Sequence, residues 1–252
     1  MCYFFGLQIN TEKQRLLEPF GIRLDEDAPV SACRSGFEYA RWPVLHRNEE
    51  TGKTELVSFH WEFIPGWITD EQALIAARKK GVPWLNARSE TLLSSNLFGP
   101  SARKRRCLVP VTHFFEWRHY RPEGAARPIA YPYFIGMADN SIFYLAGIWQ
   151  YWTDRSTGEL LGTFAVVTTA ANALMRQIHN TKLRQPTILT PDLAEAWLAE
   201  TTDETRIAEL AGFCIYPEKL AAWPIVKEFR QASHPTQPAA YPELPEIKAD
   251  SR

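Results

Sequence analysis

Strand-like segments dominate this 252-residue chain and constrain its fold more than any other feature. Runs rich in the β-branched and aromatic residues typical of strands read CYFFGL, ELVSFHWEFI, CLVPVTHFFEW, YPYFIGM, SIFYLAGIW and TFAVVTT. Between YPYFIGM and SIFYLAGIW, the stretch ADNS has the composition of a hairpin turn. Because strands and helices do not alternate regularly, we predict an α+β fold. Its mixed or antiparallel sheet would be curved, partly closed and barrel-like, with peripheral helices.

Helical segments are fewer and carry recognisable start signals. Thr69 is expected to cap the helix DEQALIAARKK, which would end at Gly81. Thr190 followed by Pro191 predicts the start of the helix DLAEAWLAE. The segment AANALMRQIH after the last strand-like run is also predicted to be helical.

The chain contains no internal linker, repeat or shift in composition. We therefore predict one domain over residues 1–232, followed by a polar, proline-rich tail over residues 233–252. The tail has too few apolar residues to form a core of its own. We expect it to lie across the domain through Tyr241 and Leu244.

Charge and cysteine usage narrow the classes of function. A formal net charge of -1 provides no global attraction to polyanions or membranes, so any nucleic-acid interface depends on local patches. No apolar run is long enough to span a bilayer, and the first fifteen residues contain charges but no signal-peptide core. Four scattered cysteines without a CxxC pair argue against a zinc site or a disulfide framework. We predict a cytoplasmic protein without a metal or another cofactor.

Cys2 directly follows the initiator methionine, which is readily removed before a small residue. Removal would leave an α-amine with a pKa of about 7.7–8.0 beside a thiol on the same residue. The amine can attack an aldehyde to form an imine, and the thiolate can then close a thiazolidine ring in an intramolecular step. The alternative is that Cys2 is a small buried hydrophobe in an edge strand.

Asn86, Arg88 and Glu90 alternate in the segment LNARSET. An extended backbone would place all three on one face, where Arg88 could bind a phosphate or a carboxylate. The same spacing fits an exposed loop with a helix that begins at Ser89, and spacing alone favours that loop.

Glu116 lies among aromatic residues in the segment HFFEW. Burial would favour the protonated form of its carboxyl, which suits a general acid or base. Alternatively, Glu116 faces solvent from an edge strand or pairs with Arg118 or Arg88.

His179 follows a predicted helix and lies near Lys182 and Arg184 in IHNTKLRQP. This positive surrounding would suit contact with phosphates or stabilisation of a developing alkoxide, although a lone histidine is often structural. Further basic residues occur in ARKKG and in SARKRRC, which contains Arg105. Together with Trp67 and other tryptophans they fit a groove for single-stranded nucleic acid, and the alternative is a solvated surface over a tryptophan-rich core.

The stretches MC, PGW, NARSET, RRCLVPVTHFFEW, VVTTAAN and IHNTKLRQP occur in this order. Together they resemble the SOS-response-associated peptidase (SRAP) family along nearly the whole chain, from residue 2 to about Val226. The resemblance implies a sensor of abasic sites in single-stranded DNA. It also implies that the N-terminal cysteine, exposed by loss of Met1, forms a thiazolidine cross-link with the ring-opened sugar.

The resemblance also implies roles for individual residues. Cys2 would be the nucleophile, Asn86 would position its amine, Glu116 would relay protons and His179 would assist opening of the sugar ring. Thr168 matches a strand threonine near the family's site. We predict DNA contacts from Arg88, Thr168, Trp67, Arg105, Lys182 and Arg184.

The chain departs from the family pattern beside the nucleophile. Many members begin MCGRF, whereas Tyr3 and Phe4 replace Gly-Arg here, so a cation is missing. We expect a monomer that removes Met1 as a peptidase and then acts with lyase-like Schiff-base chemistry on abasic DNA, including junctions of single and double strands. We expect it to be bacterial and associated with the nucleoid when bound to DNA. Two alternatives remain: an N-terminal-nucleophile amidohydrolase, and a non-covalent single-strand binding module.

Overall fold

The computed structural model describes residues 2–9, 15–26, 28, 30–81 and 83–248. Met1, whose removal is predicted above, and the last four residues of the predicted tail lie outside the described residues. The described strands are β1 (Phe4–Leu7), β2 (Leu16–Leu17), β3 (Ile22–Arg23), β4 (Ser31–Ser35), β5 (Arg41–Arg47), β6 (Thr54–Trp61), β7 (Asn86–Arg88), β8 (Arg106–Val111), β9 (His113–Tyr120), β10 (Ile129–Met137), β11 (Phe143–Thr153), β12 (Leu160–Ala170), β13 (Arg184–Pro186), β14 (Ile188–Leu189) and β15 (Leu220–Pro224). The described α-helices are α1 (Glu71–Lys79), α2 (Gly99–Lys104), α3 (Ala173–Ile178), α4 (Pro191–Leu198) and α5 (Glu204–Ala211).

Strands β5, β6, β12, β11 and β8 close into a barrel. Neighbouring strands pair in that order, and the pairing of β8 with β5 completes the ring. All of these pairs are antiparallel except β6 with β12. A second, antiparallel sheet has the strand order β15-β10-β9-β1-β4. The predicted α+β fold, with a mixed, curved and barrel-like sheet and peripheral helices, is confirmed.

Aromatic packing joins the N-terminal strand to the barrel. The buried Phe5 ring on β1 stacks on Trp61 with ring centroids 3.9 Å apart and meets Trp42 edge-on at 4.7 Å. Aromatic pairs of this kind contribute about 0.5–1.5 kcal/mol beyond the area they bury. These contacts hold the chain terminus, which is usually the least ordered part of a domain, against the protein interior.

The segment CLVPVTHFFEW, predicted as one strand, forms two strands that belong to different sheets. β8 closes the barrel, and β9 lies in the second sheet. The chain passes between them at Thr112, whose backbone amide donates to the carbonyl oxygen of Gly6 at 2.9 Å. Its hydroxyl oxygen also accepts from the amide of Gln8 at 3.0 Å. This break brings β9 directly beside β1.

The hairpin predicted at ADNS is wrong. Asn140 does adopt a left-handed turn conformation, with φ of 56°. However, β10 pairs with β9 and β15, whereas β11 belongs to the barrel. The turn therefore connects two sheets, because pairing partners are decided by packing over the whole chain and not by turn composition.

The helix starts were predicted with mixed success. α4 begins at Pro191 after Thr190, as predicted. The cap predicted at Thr69 is one residue too early, since the side chain of Asp70 accepts from the amide of Ala73 at 2.8 Å. Thr69 instead donates its hydroxyl hydrogen to the Asp70 carboxylate at 2.8 Å. Among the described residues, none of the helices is long and apolar enough to cross a membrane.

Candidate active site

Cys2 lies immediately before β1, which is held between β4 and β9. Its side chain has no exposed surface, and its Sγ lies 3.7 Å from the carbonyl oxygen of Phe4. Burial, together with the nearby carboxyl of Glu116, raises the pKa of the Cys2 thiol. The thiol is therefore neutral at physiological pH and requires activation before it can act as a nucleophile.

Glu116 occupies β9, inside the second sheet, opposite Tyr133 of β10. The residue is only 2% exposed, so it does not face solvent from an edge strand. Burial raises the pKa of the Glu116 carboxyl to about 8. The group is consequently protonated near neutral pH and can donate a proton to a reacting oxygen.

His179 caps the C-terminus of α3 and faces Glu116. Its Nδ1 lies 2.8 Å from the carbonyl oxygen of Arg184. Because a carbonyl oxygen can only accept, Nδ1 carries the proton in this bond. Nε2 lies 3.7 Å from Oε2 of Glu116. Burial lowers the pKa of His179 to about 4, so the pair consists of a protonated carboxyl and a neutral imidazole.

Asn86 and Arg88 lie at the two ends of the short strand β7, which runs parallel to β12 and pairs Arg88 with Thr168. The strand ends at Arg88 and is followed by a 3-10 helix over Ser89–Thr91. Nδ2 of Asn86 donates to the carbonyl oxygen of Cys2 at 3.0 Å. Its buried Oδ1 has no hydrogen-bond partner among the described residues. A hydrogen-bond acceptor is therefore present beside the backbone of Cys2.

Arg184 is bonded to Thr168, Glu90 and His179 inside the protein. Its Nη2 donates to the carbonyl oxygen of Thr168 at 2.5 Å and to the hydroxyl of Thr168 at 3.2 Å, while Nη1 pairs with the carboxylate of Glu90. Arg184 is buried, as is Thr168. Its guanidinium, predicted above to contact DNA, thus bonds within the protein, and its backbone carbonyl orients the ring of His179.

The other predicted DNA contacts lie on the surface. Trp67 is 64% exposed in the turn between β6 and α1, and Arg88 and Lys182 are also exposed. Arg105 lies between α2 and β8, where its Nε donates to Glu49 at 2.9 Å. The tertiary structure brings Cys2, Asn86, Glu116 and His179 together. Among the described residues, no contact links Arg105 to this cluster.

The contact of His113 with Gly6 on β1 was not predicted from the sequence. An ideal Cβ on Gly6 would lie 2.3 Å from Nε2 of His113 and 2.5 Å from the carbonyl oxygen of Ala32. Nε2 of His113 lies 2.7 Å from that carbonyl oxygen, so the ring bridges β4 and β9 across Gly6. A glycine inside an aromatic strand is a known sign of close backbone approach and could have indicated this contact.

The arrangement suits covalent and acid–base chemistry at the chain terminus. Among the residues that the structure describes, no group of three or more His, Cys, Asp or Glu side chains could hold a metal ion. A buried thiol, a protonated carboxyl, a neutral imidazole and an amide acceptor converge instead. The fold and the candidate site define an α+β protein in which ionisable side chains cluster around residue 2.

Comparison with known proteins places the chain in a family. The model of the SOS response associated peptidase (SRAP) family matches residues 1–232, and the chain belongs to that family. Abasic site processing protein YoqW of Bacillus subtilis strain 168 is 32% identical over 212 residues, which cover 83% of this chain and 86% of YoqW. Abasic site processing protein YedK of Escherichia coli K12 is 27% identical over 180 residues, 71% of each chain.

A solved structure has a similar fold. The crystal structure of a protein from Bacteroides thetaiotaomicron superimposes with a TM-score of 0.76 at 32% sequence identity. The match covers 95% of this chain and all of the other chain.

Proposed function

We propose that this protein processes abasic sites in single-stranded DNA and that its mature N-terminal Cys2 forms a thiazolidine with the ring-opened sugar. The observation that carries the proposal is the position of Cys2, hydrogen-bonded to Asn86 and close to the buried Glu116–His179 pair. The names of the relatives YoqW and YedK, both abasic site processing proteins, support the same substrate.

The amine acts first in the proposed reaction. After removal of Met1, the α-amine of Cys2 attacks C1′ of the aldehyde, and Oδ1 of Asn86 orients it by accepting one of its hydrogens. Glu116 donates a proton to the aldehyde oxygen, while a proton from the nitrogen passes to Nε2 of His179. His179 returns that proton to Glu116, and a second protonation by Glu116 lets the hydroxyl leave as water, which forms an iminium ion.

The thiol acts second. Its raised pKa keeps the Cys2 thiol neutral until the iminium cation forms beside it and favours the thiolate. The thiol proton passes to the Glu116 carboxylate and the sulfur bonds to C1′. The electron pair of the C–N double bond returns to nitrogen, which remains in the ring as a neutral amine. The net reaction releases one water and requires no oxidant or reductant. Run backwards, the same steps take up one water and release DNA with an aldehydic sugar. The Schiff-base step is the lyase-like chemistry that we propose.

The proposed substrate includes junctions between single and double strands, and the proposed peptidase activity is the removal of Met1. Exposed Arg88 and Lys182 would bind phosphates, and exposed Trp67 would stack on a base. We propose a monomer, and a bacterial, cytoplasmic setting with association to the nucleoid on DNA. Relatives from two bacteria support that setting.

The test is adduct formation with a single-stranded oligonucleotide that carries one abasic site. The processed wild-type protein should give a product that survives denaturing electrophoresis, and Cys2→Ala should give none. Cys214→Ala is the matched control, because Cys214 is the exposed cysteine among the four and should not be required. An extension left before Cys2 should also abolish the adduct, since the amine would then be an amide. Adduct formation by Cys2→Ala at the wild-type rate would exclude the mechanism.

A further inference from the structure

Two aromatic side chains form a pair next to the reactive terminus. Phe37 lies on a 3-10 helix over Gly36–Glu38, and its ring centroid is 5.0 Å from that of Tyr3 with the planes at 42°. Phe37 is 49% exposed, although it is a large apolar residue. Tyr3 is half-buried and directly follows Cys2. The pair thus presents aromatic surface to solvent one residue away from the nucleophile.

The backbone holds this pair in register with Cys2. The amide of Gly36 donates to the carbonyl oxygen of Tyr3 at 2.9 Å. Ser35 caps the 3-10 helix, since its hydroxyl oxygen accepts from the amide of Phe37 at 3.3 Å while the Glu38 carboxylate accepts from the amide of Ser35 at 3.1 Å. Such a reciprocal capping box fixes the direction in which the short helix leaves β4.

The 3-10 helix over Gly36–Glu38 also packs against Leu85, which precedes Asn86. An ideal Cβ on Gly36 would lie 2.7 Å from a methyl carbon of Leu85. Leu85 precedes Asn86, which donates to the carbonyl oxygen of Cys2. The turn that carries Phe37 therefore packs against the segment that carries Asn86, and Asn86 bonds to Cys2.

The charged residues on either side of Phe37 in the sequence pair with each other. Arg34 and Glu38 form an ion pair at 2.6 Å, so their charges offset one another. The flat side of an exposed aromatic ring is the surface on which single-strand binding proteins stack bases, and this contact tolerates any base. An abasic sugar bound at Cys2 has no base of its own, so the bases that can reach the pair belong to the neighbouring nucleotides.

We propose that Tyr3 and Phe37 form a stacking platform for the nucleobase adjacent to the abasic site. This inference rests on the proposed function, since it requires the sugar to bind at Cys2. Tyr3 of the platform stands where many family members have the glycine of Gly-Arg, and the buried Phe4 stands where they have the arginine. Because larger ring systems stack more strongly, a purine neighbour is bound better than a pyrimidine, and either better than a spacer without a base.

The experiment measures the rate of adduct formation at limiting protein concentration. Three abasic oligonucleotides carry adenine, thymine or a baseless spacer beside the lesion. Phe37→Ala should slow the reaction with the adenine oligonucleotide about tenfold and remove the dependence on the neighbour. Phe37→Leu, which keeps apolar surface without a ring, should behave like Phe37→Ala, and Phe37→Trp should retain the wild-type behaviour. Tyr151→Ala is the matched control, because Tyr151 has the same 49% exposure and lies on the barrel.

The outcomes separate the two proposals. If the wild-type protein forms no adduct with any of the oligonucleotides, the proposed function fails and the platform fails with it. If the wild type forms the adduct but Phe37→Ala matches it in rate and in neighbour dependence, only the platform is overturned. Equal rates for Phe37→Leu and the wild type would likewise overturn it. Thermal unfolding of each variant identifies loss of folding, and Phe37→Trp keeps the test valid if Phe37→Ala unfolds.

Discussion

The titration of Glu116 depends on its place in the fold. Its folded pKa of about 8 lies above the reference value of about 4.3 for glutamate, so the stability contributed by its neutral form is complete at low pH. That contribution is lost as the pH rises through 8. His179 has the opposite sign: its pKa of about 4 lies below the reference of about 6.5, so its contribution is present above pH 6.5 and lost as the pH falls through 4.

These opposite shifts lead to a prediction for Glu116→Gln, which stays neutral at every pH. Between pH 6.5 and pH 8, the wild-type free energy of unfolding should fall relative to that of the variant, by at most about 1.4 kcal/mol per pH unit. Urea unfolding at pH 6.5, 7.2 and 8 measures the difference. Exposed Glu159→Gln is the control and should follow the wild type. Parallel profiles for the wild type and Glu116→Gln would contradict the assigned burial of the carboxyl.

At the scale of elements, β1 is the strand that fixes the position of the N-terminal Cys2. It lies between two strands, its Phe5 ring packs into the barrel, and its Gly6 leaves room for the ring of His113. Every residue other than glycine would place a Cβ against the His113 ring at this position. The contacts of Phe5 and Gly6 therefore hold Cys2 in position, in addition to the hydrogen bond that its own carbonyl oxygen accepts from Asn86.

Gly6→Ala should destabilise the protein. The added methyl group would meet the His113 ring and the backbone of Ala32, and overpacking of this kind typically costs about 1–3 kcal/mol. Urea unfolding should show a lower midpoint than for the wild type. Gly66→Ala provides the matched control, because a Cβ at Gly66 meets no atom within 4 Å. A Gly6→Ala variant as stable as the control would mean that β1 is less tightly packed than described.

At the scale of the whole molecule, the C-terminal tail ties together the elements that carry the acid–base pair. Nη1 of Arg118, two residues after Glu116, donates to the carbonyl oxygen of Pro245 at 2.6 Å. The Gln177 side chain, two residues before His179, forms two hydrogen bonds of 2.9 Å with the backbone of Lys248. The tail also packs through Tyr241 and Leu244, and the Tyr241 hydroxyl donates to the carbonyl oxygen of Ile225 at 2.8 Å.

Removal of the tail after residue 232 should therefore lower the free energy of unfolding by about 2–4 kcal/mol, since several hydrogen bonds of about 1 kcal/mol and an apolar contact are lost. The rate of adduct formation should fall with it, because β9 and α3 lose the hydrogen bonds from Arg118 and Gln177 to the tail. Truncation after Lys248 is the control and should leave both quantities unchanged. We propose residues 1–232 as the domain and residues 233–252 as a tail that supports it. Unchanged stability after the longer truncation would refute that support.

Local signals account for the parts of the structure that were predicted correctly. Strand propensity in TFAVVTT and the pair Thr190–Pro191 act over a few residues, and both elements form where the sequence indicates. Local signals also failed at specific points. The turn at ADNS and the run CLVPVTHFFEW were assigned to single sheets, because nothing in the neighbouring residues records which strand each one will pair with.

The sequence by itself determined the α+β class, most of the strands and the set of motifs around Cys2, because propensity and motif order are properties of the chain. Only the tertiary structure decided that Asn86, 84 positions away, bonds to the backbone of Cys2, and that Arg184 bonds inward instead of lying exposed. It also decided that Glu116 and His179 are both neutral, because their pKa values follow from burial. Burial and contacts between distant residues arise when the sheets pack together, and no short segment of the sequence encodes them.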